Sequence, residues 1–157
     1  RRHTRFRNVT GVQTCALPIS PAARLFASDG ARRLVLGTAK APAPGVEAVA
    51  LPTADGQIAP ASVLAALAER GFKRILIEGG ADTVSRFIAA KCLDRLHVVV
   101  APMILGSGRT GISLPPIETC DEALRVPVHV HQLGDEVLYD CDLSAQRIPA
   151  GFANRSI

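Results

Sequence analysis

The sequence contains no tryptophan, one tyrosine and one methionine, and only 4% of its 157 residues are aromatic. No apolar run approaches the ~18 residues that a helix needs to span a bilayer. Nowhere do two of the four cysteines stand in a C-x-x-C pair. These absences exclude a basic stripe interleaved with aromatics for nucleic acid, a membrane-spanning helix, and a disulfide framework or cysteine metal knot. A zinc deaminase signature, H-x-E followed by P-C-x-x-C, is also missing.

Acidic residues are absent from the first nineteen positions, which hold Arg1, Arg2, Arg5 and Arg7. The formal charge of +4, from 18 basic and 14 acidic residues, therefore resides in this leader, and residues 20–157 are formally neutral. Overall basicity says nothing about the partners of the folded part. An acid-poor, Arg-rich start suits a transit peptide or a basic arm. However, Val9–Ile19, VTGVQTCALPI, resembles the conceptual translation of a sequencing adapter, residue by residue. Residues 1–19 are accordingly set aside as a non-native, disordered leader, 20–148 as a partial domain, and 149–157, which lack periodicity, as a frayed tail.

The remaining chain is long enough for one domain with a hydrophobic core. A hydrophobic content of 48% and a charged content of 20% fit a globular protein. Cys92, Cys120 and Cys141 read as small buried apolar groups in a reducing cytoplasm.

RLVLG at 33–37 and VEAVALP at 46–52 read as strands. Pro60 then opens a helix through Arg70, with Val63, Leu64, Leu67 and Ala68 as its inner stripe and Gly71 as its C-terminal cap. The continuous run Ile75-Leu76-Ile77 predicts a strand buried on both faces. A second helix is expected over 81–91, with Val84, Phe87 and Ile88 inward, followed by a strand over Leu96–Val100. Residues 106–116, GSGRTGISLPP, are loop chemistry. VPVHVHQL and EVLYDCDL alternate around Gly134-Asp135, a hairpin signal. Strand–helix alternation closed by a hairpin makes an α/β fold with a mixed sheet.

The strand–Glu78-Gly79-Gly80–helix junction could carry chemistry. Glycines allow a ligand to approach the backbone, and a helix start presents N–H groups and partial positive charge to an anion. Open α/β sheets also place ligands at the carboxyl ends of their strands, where Glu78 stands. A plain turn with a solvated glutamate fits the same pattern, and neither familiar phosphate-loop fingerprint applies. Gly106–Gly111 could offer backbone donors and Arg109 to an anion, or could be a plain connection. His129 and His131 alternate on one hairpin face without a third ligand, and read as surface residues. His97 and Ser113 have no evident nucleophile–base partner.

Glu78-Gly79-Gly80, Leu93-Asp94-Arg95-Leu96, Pro102 and Leu105-Gly106-Ser107-Gly108 together carry a family likeness. LIEGGADTVSRFIAAKCLDRLHVVVAPMILGSGRTG resembles the reductase domain at the C-terminus of bifunctional riboflavin-biosynthesis deaminase/reductases, with less specific likeness from Ser20 to about Gln146. The resemblance implies a dihydrofolate-reductase-like fold. It also implies NADPH-dependent reduction of a ribosylamino pyrimidine phosphate, 5-amino-6-(5-phosphoribosylamino)uracil, to its ribitylamino form. By the same resemblance Glu78 contacts substrate, and Gly80, Ala81, Asp82, Thr83, Val84, Ser85 and Arg86 contact the cofactor. A homodimer is implied as well, while the cysteines, histidine spacing and charge read above lead one to expect a cytoplasmic protein without metal or nucleic acid.

Family members carry further strands and a helix ahead of the segment matched from Ser20. The chain is therefore expected to be a partial reductase domain with little activity of its own. A non-catalytic nucleotide-binding module, and another reductase of the dihydrofolate-reductase-like group, remain as alternatives.

Overall fold

The computed structural model describes residues 10–12, 29–37 and 43–148. The chain divides into two compact units, Arg1–Gly79 and Gly80–Ile157. The tail 149–157 lies outside the described residues.

In the first unit, strands β1 (Thr10–Val12), β2 (Arg33–Gly37), β3 (Val46–Ala50), β4 (Thr53–Ala54) and β5 (Gln57–Ile58) precede helix α1 (Pro60–Glu69) and strand β6 (Ile75–Ile77). β2 and β3 pair in parallel, with Arg33 opposite Val46 and Gly37 opposite Ala50. β4 and β5 form a minimal antiparallel hairpin in which Thr53 faces Ile58. Its two-residue loop, Asp55-Gly56, has φ of 52° and 73°. Two successive positive φ values are what a type I′ turn requires, and Asp-Gly supplies them with little strain. This hairpin adds to the strands expected from sequence.

Pro60 occupies the first turn of α1, where its missing N–H is no loss. The helix ends in a Schellman motif: Gly71 N–H donates to Ala68 O at 2.9 Å, and Phe72 N–H to Leu67 O at 3.1 Å. Gly71 adopts the required left-handed φ of 84°. The buried stripe is Val63, Ala66 and Leu67, with Leu67 1% exposed. Leu64 is half-buried and Ala68 exposed, which corrects the expected stripe. Positions i, i+3 and i+4 share a helix face, whereas i+5 has rotated off it. Val46 and Val49 complete the buried apolar set of this unit.

Two expectations fail in the first unit. Leu76 is 38% exposed, so β6 is not buried on both faces; among the described residues it pairs with β1 alone. Secondly, Thr10–Val12 is not disordered: it runs parallel to β6, with Thr10 opposite Ile75 and Val12 opposite Ile77. A strand edge offers unpaired N–H and C=O groups that any extended backbone can meet. The absence of a side-chain period in the leader therefore does not prevent the pairing.

The second unit holds helix α2 (Ala81–Ala89) and strands β7 (Arg95–Val100), β8 (Val128–Leu133) and β9 (Glu136–Asp142). β9 is the central strand of an antiparallel sheet of order β7-β9-β8. Gly134-Asp135 makes the β8–β9 turn as expected; Gly134 has φ of 65° and stands at the first central position, as in a type II′ turn. Two parallel pairs and a small antiparallel hairpin in the first unit, with an antiparallel sheet in the second, give the α/β character and both pairing senses that the sequence predicts, distributed over separate sheets among the described residues.

Alternation separates the faces of this sheet. Leu96, Val98 and Val100 of β7, Val137, Tyr139 and Cys141 of β9, and Val128 and Val130 of β8 share one face by register. Arg95, His97, Asp140, Asp142, His129 and His131 share the other, together with Val99, Leu138 and Leu133. On that polar face Arg95 Nη1 donates to Asp140 Oδ2 at 2.9 Å.

α2 buries Phe87 and Ile88, and Leu143 is buried in the same unit. Val84, expected inward, is half-buried. A second Schellman motif ends α2, with Lys91 N–H donating to Ile88 O and Cys92 N–H to Phe87 O. Lys91 takes the left-handed position at φ 53°. Burial pushes the Cys92 thiol above its ordinary range, in keeping with an inert apolar role. Cys120, by contrast, is exposed; it opens a short 3-10 turn, Cys120–Glu122, and not a core position.

Candidate functional site

Strand β6 delivers the chain to Glu78, Gly79 and Gly80, all exposed. The Glu78 carboxylate makes no hydrogen bond or ion pair among the described residues. Gly80 is the N-cap of α2, with φ −75° and ψ −179°, and no side chain caps the helix there. The first intrahelical bond, from Val84 N–H to Gly80 O, spans 3.2 Å. Ala81 and Asp82, in the first turn, precede the first residue whose N–H can reach an intrahelical acceptor. A Cβ placed on Gly80 would meet no atom within 4 Å. The backbone there is extended and unstrained, so open space, and not a positive φ, is what glycine preserves at this point.

One face of α2 then forms a wall. Asp82, Ser85, Arg86 and Ala89, spaced by three and four residues, line a cleft of about 240 Å³ with Ser113, Leu114 and Pro115 opposite. Asp82 stands in the first turn and Arg86 in the last. The two cleft walls are joined by a hydrogen bond from Ser113 N–H to Ser85 Oγ, 2.7 Å long. The cleft presents one carboxylate, one guanidinium, two serines and an apolar wall within a single unit.

The sequence-assigned residues fall into groups. Asp82, Ser85 and Arg86 line the cleft; Gly80 and Ala81 begin the helix that supplies them. Thr83 is 2% exposed, which does not fit its assignment as a cofactor contact. It lies four residues before buried Phe87 on the inward face. Ser85 is 4% exposed, and its oxygen already accepts a bond from the loop. Gly106–Arg109 are exposed and lie outside the cleft lining. Sequence reasoning overlooked Leu114 and Pro115, and weighed Ser113 only as a nucleophile.

His97 lies on the polar sheet face, its Nε2 3.3 Å from Asp140 Oδ1, and His129 and His131 are exposed strand residues. Among the described residues, no three His, Cys, Asp or Glu side chains are arranged to hold a metal.

The sequence pattern of the RibD C-terminal domain family matches residues 8–139. The chain belongs to that family. Its match begins within the segment that sequence analysis set aside, two residues before β1. Over 44 residues the chain is 43% identical to the riboflavin biosynthesis protein RibD of Bacillus amyloliquefaciens, covering 28% of this chain and 12% of that protein.

Solved structures share the RibD-type, dihydrofolate-reductase-like fold. The deaminase/5-amino-6-(5-phosphoribosylamino)uracil reductase of Thermotoga maritima matches with a TM-score of 0.66 at 23% identity, over 85% of this chain and 37% of that one. RibD of Acinetobacter baumannii gives 0.62 at 21% identity, over 85% and 36%. The riboflavin biosynthesis reductase of Saccharomyces cerevisiae gives 0.63 at 15% identity, over 84% and 67%. This chain thus spans little more than a third of the two bacterial RibD structures. Among the described residues no helix is long and apolar enough to cross a membrane.

Proposed function

We propose that this RibD C-terminal domain serves NADPH-dependent reduction of 5-amino-6-(5-phosphoribosylamino)uracil in riboflavin synthesis, as a cytoplasmic enzyme that pairs as a homodimer and binds no nucleic acid. The observation that carries the cofactor reading is the uncapped start of α2 at Gly80, with open space where a side chain would stand. The positive end of a helix attracts a phosphate. The adjoining cleft adds Arg86 for charge and Asp82 to accept hydrogen bonds from sugar hydroxyls. Asp82 also repels a phosphate placed too near it, which favours an approach over Gly80.

NADPH, when bound, supplies the hydride. The chain's own groups bind and orient. Glu78, exposed at the end of β6, is free to accept hydrogen bonds from substrate hydroxyls, and its charge is assigned to substrate and not to the dinucleotide. The reductases whose names this reading follows are longer than this chain, so the substrate assignment rests on family membership, while the cofactor assignment has local geometry behind it.

Titration of the chain with NADPH tests the reading directly. Saturable binding that weakens in Gly80→Val supports it. Equal affinity in both proteins removes the α2 start from the cofactor site.

A further inference from the structure

The hydrogen bond between Ser113 and Ser85 has a use that the family pattern does not assign. Ser113–Pro115 form the far wall of the cleft, yet all three are exposed and belong to a stretch, 101–119, with no helix or strand of its own. Such a wall needs an external hold to keep a fixed distance from α2. The Ser85 hydroxyl supplies one: it is buried, sits on a helix, and receives the Ser113 N–H at 2.7 Å. Leu114 and Pro115 follow directly, so the same bond places the apolar wall opposite Ala89 and Arg86.

We propose that Ser85 is a positioning residue for cofactor binding: through Ser113 it sets the width of the cleft beside Asp82 and Arg86. It acts on the loop and not on the dinucleotide. This inference rests on the NADPH reading given above. A cleft wall that is ordered before the ligand arrives leaves less freedom to be lost on binding. A single hydrogen bond of ordinary net strength corresponds to roughly fivefold in an equilibrium.

The test uses three variants of the 157-residue chain; NADPH affinity and thermal midpoint are read on each, and the amide exchange of Ser113 on the two Ser85 variants. Ser85→Ala removes the acceptor and should speed Ser113 exchange and weaken NADPH binding, each about fivefold. Ser85→Thr keeps the oxygen and should restore both. Ser113→Pro deletes the donor and sets a ring carbon where the N–H met Ser85 Oγ, so it should part the loop from α2 and weaken NADPH binding at least as much as Ser85→Ala.

Unchanged Ser113 exchange in Ser85→Ala would overturn the proposal. So would faster exchange, or a lowered midpoint, with unchanged NADPH affinity, since a purely structural serine behaves that way. If the unmodified chain fails to bind NADPH, the cofactor reading falls and takes the positioning role with it. If it binds normally while Ser85→Ala is silent, the positioning role falls alone.

Discussion

Arg70 Nε donates to Glu47 Oε1 across 2.7 Å, joining the residue that ends α1 to the second residue of β3. The other carboxylate oxygen, Oε2, accepts from Arg32 Nη2 at 2.8 Å, and the Arg32 guanidinium lies 5.5 Å from the Phe72 ring centre. Arg70 Nη1 also donates to Ala66 O at 2.7 Å, so a single side chain satisfies a carbonyl in the last turn of the helix and holds a strand to it.

This arrangement predicts a pH dependence. The Arg70 hydrogen bond, followed by that from Arg32, holds the Glu47 carboxyl below its ordinary value. A carboxylate whose folded value is lowered contributes stability above its unfolded value and loses it as pH falls through the lowered one. Urea unfolding of the wild type and Glu47→Gln should therefore differ at neutral pH and converge in acid, below the ordinary carboxylate range near ~4. The difference should shrink with added salt, because both partners reach solvent. A difference that is constant across pH would assign the effect to packing.

The two helix ends invite opposite substitutions. Gly71→Ala forces a Cβ into φ of 84° with no neighbouring atom in the way, so its cost is backbone strain alone, about 1 kcal/mol. Lys91→Gly relieves the same strain at φ 53° and should stabilise the protein by about 0.5–1 kcal/mol. Chemical denaturation of each variant checks the pair. The same sign for both would show that the caps do not govern these ends.

Gly80→Ser should separate stability from binding. Serine is a better N-cap than glycine by a few tenths of a kcal/mol, and nothing stands where its Cβ would go, so the midpoint should hold or rise slightly. The side chain would occupy the space through which a phosphate reaches the helix start, and NADPH affinity should fall. Parallel thermal and NADPH titrations give both readings. A stabilised variant with undiminished affinity would count against an approach over Gly80.

With this domain in a full-length reductase, Glu78→Gln should lower turnover of the pyrimidine substrate more than it weakens NADPH, since the carboxylate is assigned to substrate hydroxyls. Steady-state rates beside a direct NADPH titration separate the two. Normal turnover with poor NADPH binding would reverse the assignment.

What the sequence made legible was what one side chain or one turn decides. Pro60 and Gly71 bracket α1 because fixed φ at one end and positive φ at the other are properties of those residues. The Gly134-Asp135 turn followed for the same reason, and Asp55-Gly56 offered an equal signal that went unused between two-residue strands. Other features depend on neighbours that periodicity does not see. Ile75-Leu76-Ile77 has the composition of a doubly covered strand, but Leu76 remains partly open. Strand β1 is held by backbone groups that every sequence possesses. At the candidate site, Gly80 and the face Asp82-Ser85-Arg86 could be found from motif and helical spacing. The opposing wall could not, because Ser113–Pro115 meet α2 through a main-chain donor 28 residues away in sequence.

Tyr139, at the middle of β9, lies directly opposite Val98 on one side and Val130 on the other. It is the chain's only tyrosine, and the chain has no tryptophan. Near-ultraviolet emission therefore comes almost wholly from one ring on one sheet, leaving the unit Arg1–Gly79 nearly dark apart from weak phenylalanine bands. Tyrosine fluorescence and backbone dichroism would then observe different parts of the same molecule. Melting curves that coincide by both signals would mean that the two units unfold as one, and curves that separate would time them individually.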